Sequence, residues 1–251
     1  MSASWSVVSA EELPEQREEG DGYGMFGLSE PLGLSMVRAN LFRFRPGDAM
    51  EYHNHDWQEE LLYIVSGECT LVVEGERSTV RAGDVLRFAP QPRRRLVNES
   101  GADCVWFAVG APPVSEDWNE FEPDTPGDPP APDGSWAVAS VSDLQEKERD
   151  RYVITWLAEP LGLQQLRANL FRFRPGDSMY RHNHKAQEEL FFIVDGDAEL
   201  IVGDESRLVS AGDVVRVDKE PPRQLVHAGM AECLFLAVGA PPVDDDAVFL
   251  D

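Results

Sequence analysis

The sequence predicts an all-β chain of two tandem small barrels. Two observations carry this. Pro31–Val114 and Pro160–Val243 are one segment written twice without a gap, each position lying 129 residues before its counterpart, and more than half of the pairs are identical. Within each copy, short apolar runs stop at Gly, Pro and Asp turns, the pattern of strands in β-sandwiches and barrels.

In order along the first copy, Leu41–Arg45 alternates and stops at Pro46-Gly47. Leu61–Val65 stops at Ser66-Gly67, and Thr70–Val73 at Glu74-Gly75. Val85–Phe88 follows Ala82-Gly83-Asp84, and Cys104–Val109 ends at Gly110. Each run has strand length, and antiparallel closure would leave no open edge. Helix is expected only around Ala10–Glu19 and Ser142–Asp150. Ser4-Trp5-Ser6-Val7 matches Ser135-Trp136-Ala137-Val138, so each unit begins near its tryptophan. The expected organisation is a first barrel over 1–114, a linker over 115–134 and a second barrel over 135–251. The linker is rich in proline and acids and reads as extended and solvated.

The net charge is −24, from 46 acidic against 22 basic residues, and only Lys147, Lys185 and Lys219 are lysines. Nucleic acid is excluded as a partner, because phosphate binding needs a basic face. The acidic, lysine-poor composition points to a halophilic protein whose self-repulsion is screened by salt. Cys69, Cys104 and Cys233 form no paired framework, and the repeat equivalents Cys104 and Cys233 are read as small buried hydrophobes. No basic start with an apolar run opens the sequence, and no stretch has membrane-spanning length. The expectation is a cytoplasmic protein without a membrane partner, as a monomer of two fused barrels or a homodimer.

Four of the five histidines sit in two motifs, His53-Asn54-His55 with Glu60 and His182-Asn183-His184 with Glu189. Residues two apart on a strand share a side, so each histidine pair projects together. Two imidazoles and a carboxylate in a barrel make a first shell for a divalent transition metal such as Fe, Mn, Ni, Zn or Cu. A structural hydrogen-bonded His/Glu set is the alternative, and the doubled spacing weighs against it. His227 reads as a strand-end residue rather than a ligand, and Met50 and Met179 as packing residues.

Gly47, then His53-x-His55, Glu60 and Gly67, repeated at Gly176 to Gly196, resembles the first motif of the cupin superfamily, and Gly83-Asp84 and Gly212-Asp213 resemble the start of its second. The resemblance implies a bicupin, two fused cupin barrels (double-stranded β-helix, or jelly-roll) of the germin and oxalate-decarboxylase kind. It also implies a third histidine ligand eleven residues after the second motif's glycine. Here that slot holds Arg94 and Arg223. Arginine has no acceptor lone pair, so the shell reduces to His53, His55 and Glu60, and to His182, His184 and Glu189. Either the arginine pairs with the glutamate of a metal-free site, or it binds a substrate anion beside the metal. Arg38 and Asn40, with Arg167 and Asn169, share a face with the strand phenylalanines. They reach the pocket if those rings face the core, and otherwise lie on a solvated or interdomain face. Arg87 and Arg216 carry the same ambiguity.

Two functions stay open. One is a metal-dependent enzyme on a small anionic carboxylate, with oxidoreductase (dioxygenase-like), decarboxylase, isomerase or lyase chemistry implied by the resemblance. The other is a metal-free or structurally metallated small-molecule binding bicupin. A storage role has less support in this acidic chain. The charge gives a prediction of its own. The thermal unfolding midpoint should rise from low to molar potassium chloride, where the Debye length shortens; a flat or falling curve would remove the halophile reading.

Overall fold

The computed structural model describes residues 4–17, 22–114, 117–123 and 125–250. Each repeat folds as two antiparallel sheets facing each other. In the first, one sheet runs Trp136–Ser140, Asp84–Phe88, Glu59–Ser66, Cys104–Ala111, Arg38–Phe44 and Gly24–Gly27. The other runs Asn119–Glu120, His53–Asn54, Arg94–Val97, Glu68–Val73 and Glu76–Arg81. The second repeat follows the same plan, with Glu146–Glu148 added at one edge. The predicted strands all appear. Their turns use glycine where geometry demands it: Gly67 has φ +76°, and a Cβ there would lie 2.2 Å from the Asp103 carbonyl oxygen. No described helix is long and apolar enough to cross a membrane.

The first strand of each unit crosses over. Trp5–Ser9 pairs with Asp213–Val217 of the second repeat, and Trp136–Ser140 pairs with Asp84–Phe88 of the first. The exchange completes each barrel's larger sheet with a strand from the other repeat.

The expected helices are not there. Ala10–Glu12 and Val141–Asp143 are single 3-10 turns, and Glu146–Glu148 is a strand against Val153–Trp156. Pro14 removes a backbone donor where a helix from Ala10 would need it, and residues 18 and 19 of that segment lie outside the described ones. The helices that do form, Ser29–Leu32 and Ala158–Leu161, end at Gly33 and Gly162 in the left-handed conformation and bury Leu32 and Leu161.

Strand alternation divides the apolar residues between two environments. On Glu59–Ser66, Leu62 and Ile64 face the interior of the first barrel beside Phe44, Leu86 and Trp106. Leu61 and Tyr63 face the other repeat and join Leu190, Phe192 and Leu236 in a shared core. Phe107 and Phe192 stack across it with centroids 4.5 Å apart. These strands are buried on both faces, which explains why they read as continuous apolar runs.

A polar device locks the same interface. Buried Glu59 accepts from Arg87 Nε at 2.7 Å and from the backbone N–H groups of Gln164, Gln165 and Leu166. Buried Glu188 accepts from Arg216 Nε at 3.1 Å and from the N–H groups of Ser35 and Met36. Arg87 and Arg216 therefore lie at the interface. Removing one partner of a buried pair leaves the other charge uncompensated. Glu59→Gln should cost about 3–5 kcal/mol in denaturant unfolding, whereas Glu76→Gln on an exposed strand should cost under about 0.5 kcal/mol. Equal effects would show that the pair carries no special weight.

Candidate metal centres

The short strands His53–Asn54 and His182–His184 present their imidazoles to the barrel interior, and the alternation that puts Glu59 and Glu188 at the interface turns Glu60 and Glu189 inward. The ligand atoms of His53, His55 and Glu60 lie within 4.8 Å of one another, as do those of His182, His184 and Glu189. Arg94 stands directly across the sheet from His53, and Arg223 from His182.

Each of the four motif histidines is oriented by an acceptor at Nδ1. His53 Nδ1 lies 2.9 Å from the Glu51 carbonyl, and His182 Nδ1 lies 2.9 Å from the Tyr180 carbonyl. His55 Nδ1 donates to the Asp117 carbonyl, and His184 Nδ1 lies 2.8 Å from Asp246 Oδ2. A carbonyl or carboxylate oxygen only accepts, so each neutral ring carries its proton on Nδ1 and turns a lone pair inward from Nε2. That partnering is the one metal-ligating histidines use. His55 Nε2 and His184 Nε2 are buried without a hydrogen-bond partner. They face Glu60 Oε1 at 3.3 Å and Glu189 Oε2 at 3.4 Å. Two acceptors facing each other call for a cation between them, so the donor set fits a divalent metal.

The protonation states suit it. Burial, helped by the Arg94 charge, pushes His53 down to about 3 and keeps the ring neutral. Burial pushes the Glu60 carboxyl up, but Arg94 and the two histidines outweigh it and hold the group well below the carboxylate range. Glu189 behaves alike beside Arg223.

Arg94 is fully engaged. Nε donates to Glu60 Oε2 at 3.1 Å, a second nitrogen donates to the same oxygen, and Nη1 donates to Pro92 O at 3.0 Å. Glu60 therefore divides its oxygens, Oε2 to arginine and Oε1 toward His55. Glu189 does not: Oε2 takes Arg223 Nε at 2.9 Å and also faces both histidines at 3.4 Å.

Arg38 and Asn40 line a cavity of about 270 Å³ that opens onto the first centre. Arg167 and Asn169 line one of about 710 Å³ at the second. Arg94 lines the first cavity, whereas Arg223 is buried against Glu189. His227 ends its strand and bonds the Ala231 carbonyl at 2.6 Å, away from the centre.

Sequence reasoning missed Asp117, Trp118 and Asp246. The segment read as a solvated linker enters the site, although Ser115, Glu116 and Asp124 lie outside the described residues. Asp117 is buried, and its carboxylate accepts from the N–H groups of Asp56, Trp57 and Gln58, fixing the turn after His55. Asp246 does the same for Ala186 and Gln187. Trp118 lies flat on His53, ring centroids 3.6 Å apart. A signal existed, because Asp117 and Asp246 obey the same 129-residue offset.

The family model described as Cupin domain matches residues 40–110 and again 169–239, more than half of the chain. The chain belongs to the cupin family. It is a bicupin, and its fold is shared with solved ones. The Lactobacillus farciminis oxalate decarboxylase in its formate complex superposes with a TM-score of 0.77 at 16% identity, covering 97% of this bicupin and 88% of that chain. Bacillus subtilis oxalate decarboxylase, studied for its Mn(II) centres, gives a TM-score of 0.75 at 15% identity, covering 97% and 79%. These likenesses establish the fold. A polyketide synthase CurC from Streptomyces cyaneus is 27% identical over 92 residues, 37% of this bicupin and 60% of that protein's length.

The depressed His53 sets a pH dependence in metal-free protein. The unfolded ring takes up a proton below its ordinary 6.5, while the folded ring resists until about 3. The stability it contributes is complete above 6.5 and is lost as pH falls through that window, at up to about 1.4 kcal/mol per pH unit. Denaturant unfolding in chelator from pH 7.5 to 4.5 should show this slope, and His53→Asn should flatten it. An unchanged slope would place the titrating group elsewhere.

Proposed function

We propose that this bicupin is a metal-dependent enzyme acting on a small carboxylate, with the first barrel as the working site. The observation that carries the reading is the buried, unpartnered Nε2 of His55 facing Glu60 Oε1 while Arg94 occupies only Oε2. Metal and arginine then serve different oxygens of one carboxylate and need not compete.

His53, His55 and Glu60 would hold the ion and leave coordination positions open, as in other two-histidine, one-carboxylate sites. A bound Fe or Mn supplies Lewis acidity or oxygen activation there. Arg94 is a positioning residue: it keeps Glu60 ionised and aimed. Trp118 covers His53 and limits water on that side. Arg38 and Asn40 are the polar groups available to a substrate carboxylate at the cavity wall. Decarboxylase, dioxygenase-like, isomerase and lyase chemistry all remain compatible with such a centre, since fold does not select the reaction. Structural likeness to oxalate decarboxylases supports the carboxylate class.

In the second barrel, Arg223 and both histidines share Glu189 Oε2, which favours a weaker site in which the arginine competes with the metal for that oxygen. Elemental analysis of protein purified without chelator, in molar salt, tests both. One ion per barrel is expected, held more tightly in the first. His53→Ala with His55→Ala should halve the metal content and remove the tight site in a calorimetric titration. Parent protein without metal affinity, or unchanged content in the variant, would refute these ligands.

A further inference from the structure

The two barrels have the same ligand triads but differently built cavities. Phe88, Trp106 and Trp118 of the first have Val217, Phe235 and Ala247 as their counterparts in the second. Trp106 stacks on Phe42 with centroids 4.0 Å apart and nearly parallel planes. Trp118 lies on His53, and both tryptophans line the cavity. The result is a narrow aromatic slot of about 270 Å³, where the second barrel opens to about 710 Å³. Trp106 Nε1 is buried without a partner. A buried indole N–H normally finds an acceptor, and Phe235 offers no such donor.

The rims differ in charge. Arg38 is exposed, donates one nitrogen to the Val114 carbonyl at 2.8 Å, and has no carboxylate partner among the described residues. Its counterpart Arg167 is paired with Asp244, while Asp246 at the second cavity has its equivalent, Asp117, at the first. The first rim therefore offers a guanidinium whose remaining donors suit a carboxylate. The second rim has its arginine already neutralised.

We propose that the first barrel, and not the second, is selective for a planar aromatic monocarboxylate, with the ring between the Trp106 and Trp118 walls and the carboxylate at Arg38. This deepens the carboxylate reading above and rests on it. Flat π faces favour offset or edge-on contact with another ring, and the cavity is at the small end of ligand pockets, which suits a single ring. An aliphatic dicarboxylate would gain the charge contact and leave the aromatic walls uncovered.

The test is a set of calorimetric and tryptophan-fluorescence titrations of the full chain, as purified in molar potassium chloride, with benzoate, benzamide, hexanoate and oxalate. Benzoate should bind with one equivalent per chain and change the tryptophan emission. Benzamide, which lacks the charge, should bind at least tenfold more weakly. Arg38→Ala should weaken benzoate at least tenfold, and Trp118→Ala should weaken benzoate more than oxalate. Both residues are exposed, so neither change threatens the fold. Hexanoate or oxalate binding as tightly as benzoate would overturn the aromatic assignment and leave the carboxylate reading standing. Two equivalents of benzoate would overturn the division between barrels. No carboxylate binding at all, in protein shown to hold metal, would overturn both readings and leave the metal assignment intact.

Discussion

Two buried glutamates, each next in sequence to a glutamate of a His-His-Glu group, latch the two repeats together. Glu59 leaves the first barrel to receive the backbone of Gln164–Leu166, and Glu188 leaves the second to receive Ser35 and Met36. Each carboxylate is balanced by an arginine of its own barrel, Arg87 or Arg216. A strand turns successive side chains to opposite faces, so Glu59-Glu60 and Glu188-Glu189 each serve interface and centre with adjacent residues. The loops they grip lead directly into Arg38 and Arg167, at the cavity rims. A displacement at the interface would therefore reach the inward glutamate on one side and the rim arginine on the other.

Much of the site was legible because chemistry and spacing were written twice. The His-Asn-His pairs and their glutamates converge as the alternation required, and the arginine slot lies across from the histidines. The assignment of Arg38 and Asn40 to the cavity wall followed once Phe42 and Phe44 faced inward. Asp117 and Asp246 were missed because the repeat was closed at Val114 and Val243, three residues short of them, and because proline and acids beyond that point resembled a linker. The crossing of Trp5–Ser9 and Trp136–Ser140 leaves no local trace. Their apolar alternation marks a strand but does not name its partner, which only the shared core and sheet edges decide. The paired neighbours of Arg87 and Arg216 were hidden for a similar reason, since both faces of those strands are buried.

The charge balance of the molecule has two regimes. Acidic excess gives the chain its net charge of −24. Inside, Arg87, Arg94, Arg216 and Arg223 are each matched with a glutamate. Salt screens exposed charges far more than buried ones. Concentrated salt can thus relieve repulsion on the outside while leaving the interface latches and the centres intact. The site's electrostatics are set locally, by one arginine per carboxylate, and are insulated from the field of the surface.

The exchanged first strands have a consequence for ancestry. A single repeat contains a donor strand, an acceptor edge, a glutamate latch and the loop that another latch grips. Two identical copies would satisfy all of these contacts about a twofold axis, in the isologous manner of common homodimers. The bicupin is then a tethered version of such a pair. Once tethered, its halves were free to drift, and that drift is visible where Trp118 faces one centre and Ala247 the other.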